Sequence, residues 1–180
     1  MCVFMAHSTI IGAVDGTNST RDFCCGLRNA HAIETQAREL MERQSERLDE
    51  YPEVKAKVTA HLQETNEQLK RLEQCLNALD EGTSTLKDAA QSVMANVMAM
   101  THAVAGDEIL KNTFANNAFE NFEIAAYKSL LALCGPAGSD NARPHLQASL
   151  REEEQMAKWI DANVEKVTLA YLNREVRAAA

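Results

Sequence analysis

The most restrictive feature of this 180-residue chain is the position of acidic side chains within its apolar periodicity. Four long stretches repeat apolar residues at the spacing of one helix face, and each carries a glutamate in the same register. These glutamates are Glu34, Glu64, Glu123 and Glu153. Burying a carboxylate without a partner is very costly, so four of them require a shared reason. A pair of metal ions held between four helices would supply it.

Helix breakers and capping residues divide the first half of the chain. Residues 1–20 show no apolar period, and we expect a mobile N-terminal tail before one helical domain of residues 21–178. Thr20 or Asp22 is placed to cap the first helix, and Pro52 suits the first turn of the second. Two long helices with a short connection predict a helical hairpin.

The second half of the chain predicts another hairpin. One helix passes through Tyr127 and ends near Gly135, and the last begins after Asp140 with Pro144 in its first turn. Between the hairpins, residues 83–104 carry an apolar stripe of their own, which predicts a further helix. The pattern therefore predicts an all-α fold, a four-helix bundle with a crossover connection that carries an additional helix.

The four glutamates are expected at one height in this bundle. Glu34 and Glu64 lie almost equally far along the chain from the turn of the first hairpin, and Glu123 and Glu153 from the turn of the second. Because each residue adds about 1.5 Å to a helix, both pairs fall near the middle of the bundle. Nothing in the apolar pattern itself requires this agreement, which strengthens the prediction of a shared site.

Two further side chains extend the predicted ligand set. Carboxylate oxygen and imidazole nitrogen suit iron and manganese, and an i, i+3 spacing aims two side chains of one helix at one point. That spacing joins His61 to Glu64 and Glu120 to Glu123. The predicted metal ligands are Glu34, His61, Glu64, Glu120, Glu123 and Glu153. The predicted cofactor is two metal ions, with iron preferred and manganese or zinc as alternatives.

Four motifs occur in order within residues 22–175. They are Phe23-x-x-x-Leu27-Arg28, His61-Leu-x-Glu64-Thr65, Glu120-x-x-Glu123-Ile-Ala-Ala-Tyr127 and Leu150-x-Glu152-Glu153. Together they resemble the ferritin-like family of bacterial stress proteins typified by YciF, and the third motif is the most specific. The resemblance implies a ferritin-like bundle, a dinuclear metal site, a homodimer and a role in stress response.

Several individual side chains have simpler interpretations. Tyr127 is a core aromatic, which we prefer, or a hydrogen-bond donor to a ligand, or a redox-active side chain. His31 either orients Glu34 or stands partly exposed. Glu152 is expected on a solvated, charged helix face.

Composition limits the partners of the chain. The net charge of −8 argues against nucleic acid, and no apolar run approaches the ~20 residues that span a membrane. Five cysteines without a C-x-x-C pair suit a reducing cytoplasm. Two functions stay open: a redox metalloprotein whose iron reacts with oxygen or peroxide, and a non-catalytic metal-binding or structural stress protein without turnover.

Overall fold

The computed structural model describes residues 16–79 and 108–178, and these ranges are helical and free of strands. The elements are helix α1 at Gly16–Ser45, helix α2 at Pro52–Asn77, helix α3 at Glu108–Leu133, a short 3-10 helix at Asp140–Ala142 and helix α4 at Arg143–Ala178. The predicted all-α fold is confirmed. No helix in the described ranges is long and apolar enough to cross a membrane.

The four helices form two hairpins that pack side by side. Helix α1 packs against α2 and α3, and helix α4 packs against α3 and α2. The chain leaves α2 at the end of the bundle where Leu76 shares an apolar cluster with Leu146. It enters α3 at the opposite end, where Ile109 shares a second cluster with Leu48. The two hairpins are therefore joined by a crossover; the additional helix predicted within residues 83–104 lies outside the described residues.

The helix boundaries follow local chemistry. Helix α2 begins at Pro52, because proline has no amide hydrogen and the first turn of a helix needs none. Helix α1 begins at Gly16, ahead of the expected caps Thr20 and Asp22. The rest of the predicted tail, residues 1–15, lies outside the described residues.

Two apolar clusters fill the two ends of the bundle, and each of the helices α1 to α4 contributes to both. The first cluster includes Phe23, Leu27, Leu72, Leu130 and Leu146. The second includes Ile33, Met41, Val58, Met156 and Ile160. Between them the interior becomes polar, and we call this level the polar layer. It consists of Glu34, His61, Glu120, Glu123 and Glu153, each at most 4% exposed.

Candidate metal centre

His61 lies at the centre of a cluster built from three helices. Its Nε2 atom is 3.3 Å from Glu120 Oε2 and 3.5 Å from Glu153 Oε2. One potential ligand atom from each of these three residues lies within 4.8 Å of the others. Imidazole nitrogen and carboxylate oxygen at these separations allow one cation to contact all three side chains.

Glu64 lies at the rim of the polar layer instead of inside it. Its Oε2 accepts a hydrogen bond from His61 Nδ1 at 2.8 Å, and about a third of its side chain is exposed. Three residues turn a helix by about 300°, so position 64 is rotated by roughly 60° from the interior direction of position 61. The contact directs His61 Nε2 toward Glu120 and Glu153, as carboxylates do for metal-binding histidines.

Glu34 and Tyr127 connect α1 to α3 within the bundle. The Tyr127 hydroxyl donates a 2.6 Å hydrogen bond to Glu34 Oε1, and both side chains are buried. Tyr127 is therefore both a core aromatic and a donor to a predicted ligand. His31, considered above as a residue that orients Glu34, contacts Glu73 instead, with its Nε2 3.3 Å from Glu73 Oε1.

Four carboxylate oxygens of the polar layer accept no well-formed hydrogen bond from the described residues, and the two on Glu120 and Glu153 lie within ion-pair distance of His61 Nε2. The four are Glu34 Oε2, Glu120 Oε2, Glu123 Oε1 and Glu153 Oε2, all buried. Protein interiors pair nearly all buried polar atoms, because each unpaired one costs about 1–3 kcal/mol. Four such acceptors in one layer fit a bound cation, which takes lone pairs and supplies no competing ones.

The same burial shifts the protonation of these groups. Burial, reinforced by neighbouring carboxylates, holds the pKa values of Glu34 and Glu123 well above their ordinary value of 4.5. Burial also raises the pKa of Glu120 to about 8. Burial alone would lower the pKa of His61, but the surrounding carboxylates outweigh it and raise this pKa to about 12. The metal-free layer therefore holds protons that a cation would displace.

A polar network beside Glu153 was not predicted from the sequence. Gln68 is fully buried and donates hydrogen bonds to both Glu152 and Glu153. Arg71 binds Glu152 through two hydrogen bonds of 2.6 and 2.9 Å. The expectation that Glu152 is solvated is wrong, because this pairing holds its side chain at 21% exposure. Gln68 follows His61 by about two turns, and this shared helix face is the signal that could have indicated it.

Glu154, next to Glu153 on α4, faces outward. It is exposed and pairs with Lys128 at 3.0 Å. The helix thus separates a buried carboxylate from an exposed one at adjacent positions.

Comparison with known proteins supports the fold over nearly the whole described chain. A family model described as a domain of unknown function, DUF892, matches residues 20–173. A protein of solved structure from Xanthomonas campestris pv. campestris is 28% identical with a TM-score of 0.73, and the match covers 88% of this chain and 98% of that one.

Two other solved structures are similar at lower identity. The E. coli stress protein YciF is 20% identical with a TM-score of 0.65, covering 83% of this chain and 96% of that one. YcfI from Rhodopseudomonas palustris is 21% identical with a TM-score of 0.66, covering 88% and 98%. The predicted resemblance to the YciF-type family is confirmed, and the chain belongs to the DUF892 family.

Proposed function

We propose that the polar layer binds two metal ions, iron or manganese, between the four helices. The four buried carboxylate oxygens carry this proposal, because none of them accepts a well-formed hydrogen bond from the described residues and a single imidazole, His61, faces two of them. The residues that would hold the ions are Glu34, His61, Glu120, Glu123 and Glu153. An oxygen-rich set with one imidazole suits iron and manganese, and zinc is the alternative that metal analysis distinguishes.

The layer divides into two groups of ligands. His61 and Glu120 are in contact, and Glu34 and Glu123 interact through their charges. Glu153 belongs to both groups, since it contacts His61 and its charge acts on both Glu34 and Glu123. Glu153 would therefore contribute to both groups of ligands, and Glu64 would orient His61 instead of acting as the ligand expected from its register.

A bound pair of iron or manganese ions would supply redox chemistry toward oxygen or peroxide. The chain contributes a concentrated negative charge, which favours the more highly charged oxidation state of an ion. Tyr127 holds Glu34 in place, and the apolar clusters exclude water from both sides of the layer. A role in stress response rests on the likeness to YciF, which is described as a stress protein.

A metal site without turnover is the second candidate. The near-complete burial of all five side chains favours it, because an oxidant needs access to the ions. Both candidates share the metal site and differ only in reactivity.

Metal analysis of adjacent variants tests the site. Protein loaded with Fe(II) or Mn(II) and passed through gel filtration should retain about two ions per chain. Glu153→Gln should lose this retention, whereas Glu154→Gln should keep it, because only the first position is buried. Wild-type protein that retains neither metal would refute the proposal. The elution volume in the same gel filtration also tests the predicted homodimer.

A kinetic measurement separates the two candidates. Anaerobic protein loaded with Fe(II) is mixed with peroxide, and the near-ultraviolet charge-transfer absorption of ferric iron is followed. Redox function predicts oxidation much faster than in a Glu153→Gln sample holding the same total iron. Equal rates in the two samples would favour the non-catalytic site.

A further inference from the structure

The side-chain amide of Gln68 lies between two consecutive carboxylates of α4. Its Nε2 donates to Glu152 Oε2 at 3.1 Å and also donates to Glu153 Oε1. One amide nitrogen therefore uses both of its hydrogens on α4. Its own oxygen, Oε1, is buried and has no hydrogen-bond partner among the described residues.

The orientation of this amide follows from the charges around it. Because Glu152 accepts hydrogen bonds from Arg71, a flipped amide would place its oxygen against an acceptor. Arg71 strengthens the constraint, because it binds both oxygens of Glu152 and also donates to Ser149 Oγ at 3.3 Å. Glu152 is thereby fixed in position, and Gln68 is fixed by Glu152.

The consequence for Glu153 is an asymmetry between its two oxygens. Oε1 accepts the hydrogen bond from Gln68, whereas Oε2 accepts no well-formed hydrogen bond from the described residues and faces His61 Nε2 at 3.5 Å. A carboxylate with one oxygen held by a donor presents the other oxygen to a cation. A carboxylate with two free oxygens can instead bind one cation through both.

We propose that Gln68, anchored by Glu152 and Arg71, is a positioning residue that makes Glu153 bind metal through Oε2. This inference rests on the proposed metal site and specifies how one of its ligands, Glu153, is held. A hydrophobic side chain would fill the same space without leaving a buried amide oxygen unpaired. The advantage of glutamine at this position is therefore the two hydrogen bonds that its nitrogen donates. The polar chain from Arg71 to Glu153 also links the ligand to a partly exposed ion pair on the bundle surface.

Replacing the amide by a thioether of similar size tests the proposal. In Gln68→Met both oxygens of Glu153 become free, and we expect Mn(II) affinity to fall by about 10-fold or more, as for other residues that orient metal ligands. Co(II) serves as the spectroscopic probe. Binding through both oxygens raises its coordination number, so the visible absorption per bound Co(II) should fall in the variant.

Gln44→Met is the matched control. Gln44 is also a buried glutamine, but it bonds Asn116 outside the polar layer. It should lower stability while leaving Mn(II) affinity and the Co(II) spectrum unchanged. Glu152→Gln acts on Gln68 from the surface and should change affinity in the same direction as Gln68→Met, by a smaller factor.

The outcomes separate this inference from the proposed function. If wild type binds Mn(II) and Gln68→Met binds it equally well with an unchanged Co(II) spectrum, the positioning role is overturned and the metal site stands. If wild type binds neither ion, the metal site itself is refuted. If Gln44→Met changes the affinity as much as Gln68→Met does, the effect is general destabilisation and the positioning role is overturned.

Discussion

Two buried polar regions of this bundle are built in opposite ways. Gln44 on α1 and Asn116 on α3 exchange hydrogen bonds between their amides, at 3.1 Å in one direction and 3.0 Å in the other. The polar layer instead gathers four carboxylates around His61, and four of their oxygens accept no well-formed hydrogen bond from the described residues. The amide pair is complete within the described chain, whereas the described residues of the layer set one imidazole, His61, among four carboxylates.

Burial does not distinguish these regions, since Gln44 and Glu34 are both 1% exposed. The two regions differ in whether their buried polar atoms have hydrogen-bond partners among the described residues. Buried amides that pair with each other stabilise and align two helices, and they need no further partner. Buried carboxylates that face one another raise each other's pKa and weaken the metal-free fold. Of two equally buried polar regions, the one whose acceptors lack hydrogen-bond partners is therefore the candidate for ligand binding.

Breaking the amide pair should give the largest change in stability. Gln44→Leu leaves the amide of Asn116 buried without its partner, and we expect the free energy of unfolding to fall by about 3 kcal/mol. Combining it with Asn116→Leu removes both polar groups and should restore most of this loss. Denaturant titration of the two single variants and the double variant measures the coupling. Additive losses would show that the two amides do not act as a pair.

Adding metal should give the carboxylates of the polar layer the partners that the amides of Gln44 and Asn116 already give each other. Mn(II) at 100 times the dissociation constant of one metal position should stabilise the fold by about 2.7 kcal/mol through that position, because only the folded state presents the assembled ligands. Thermal melts across a Mn(II) series give the shift. Glu153→Gln should show almost none of it and Glu154→Gln all of it. An equal shift in both variants would place the ion outside the layer.

Removing one carboxylate should stabilise the metal-free fold in a pH-dependent way. Burial and nearby carboxylates hold the folded pKa of Glu123 above its ordinary value of 4.5. The folded state therefore retains this proton as the pH rises past 4.5, and stability declines with increasing pH.

The corresponding variant is Glu123→Gln, which has no such proton to lose. It should exceed wild type at pH 8 by about 1.4 kcal/mol for each unit of pKa elevation, and the gain should vanish near pH 4.5. Melting curves in chelator at both pH values test the sign. Glu154→Gln, on the exposed face, is the control. A variant less stable than wild type at pH 8 would mean that Glu123 is a structural acceptor.

The sequence predicted the bundle well because helix periodicity and breakers are local signals. The start of α2 at Pro52 and the burial of Glu34, Glu123 and Glu153 follow from position along a helix face. The crossover was inferred from the order of the hairpins and is confirmed by the opposite ends at which α2 finishes and α3 begins.

Contacts between helices were predicted less well. Periodicity locates a side chain to within part of a turn, so it could not separate His61 inside the layer from Glu64 at its rim. It also could not show that Arg71 would cover Glu152, since their pairing depends on how α2 and α4 are rotated against each other. The role of Gln68 depends on the same relation.

Tyr127→Phe should produce the smallest change in the free energy of unfolding. It tests directly how the polar layer differs from the amide pair. Among the described residues, Tyr127 gives Glu34 a hydrogen-bond donor like those of the amide pair. Removing its hydroxyl should cost about 1 kcal/mol in the metal-free protein. In a Glu34→Leu background the acceptor is gone, so the same substitution should cost nothing or stabilise. An equal loss in both backgrounds would mean that the hydroxyl acts through another partner.

The hydroxyl should also change how metal binding by the layer depends on pH. Its hydrogen bond lowers the pKa of Glu34 against the larger effect of burial, so Tyr127→Phe raises that pKa further. Metal binding requires the ionised carboxylate, and more of it is protonated at pH 6 than at pH 8. The loss of Mn(II) affinity in Tyr127→Phe should therefore be greater at pH 6. A loss that is equal at both pH values would show that Tyr127 positions Glu34 without affecting its charge. The contact would then be a neutral hydrogen bond, like the one between Gln44 and Asn116.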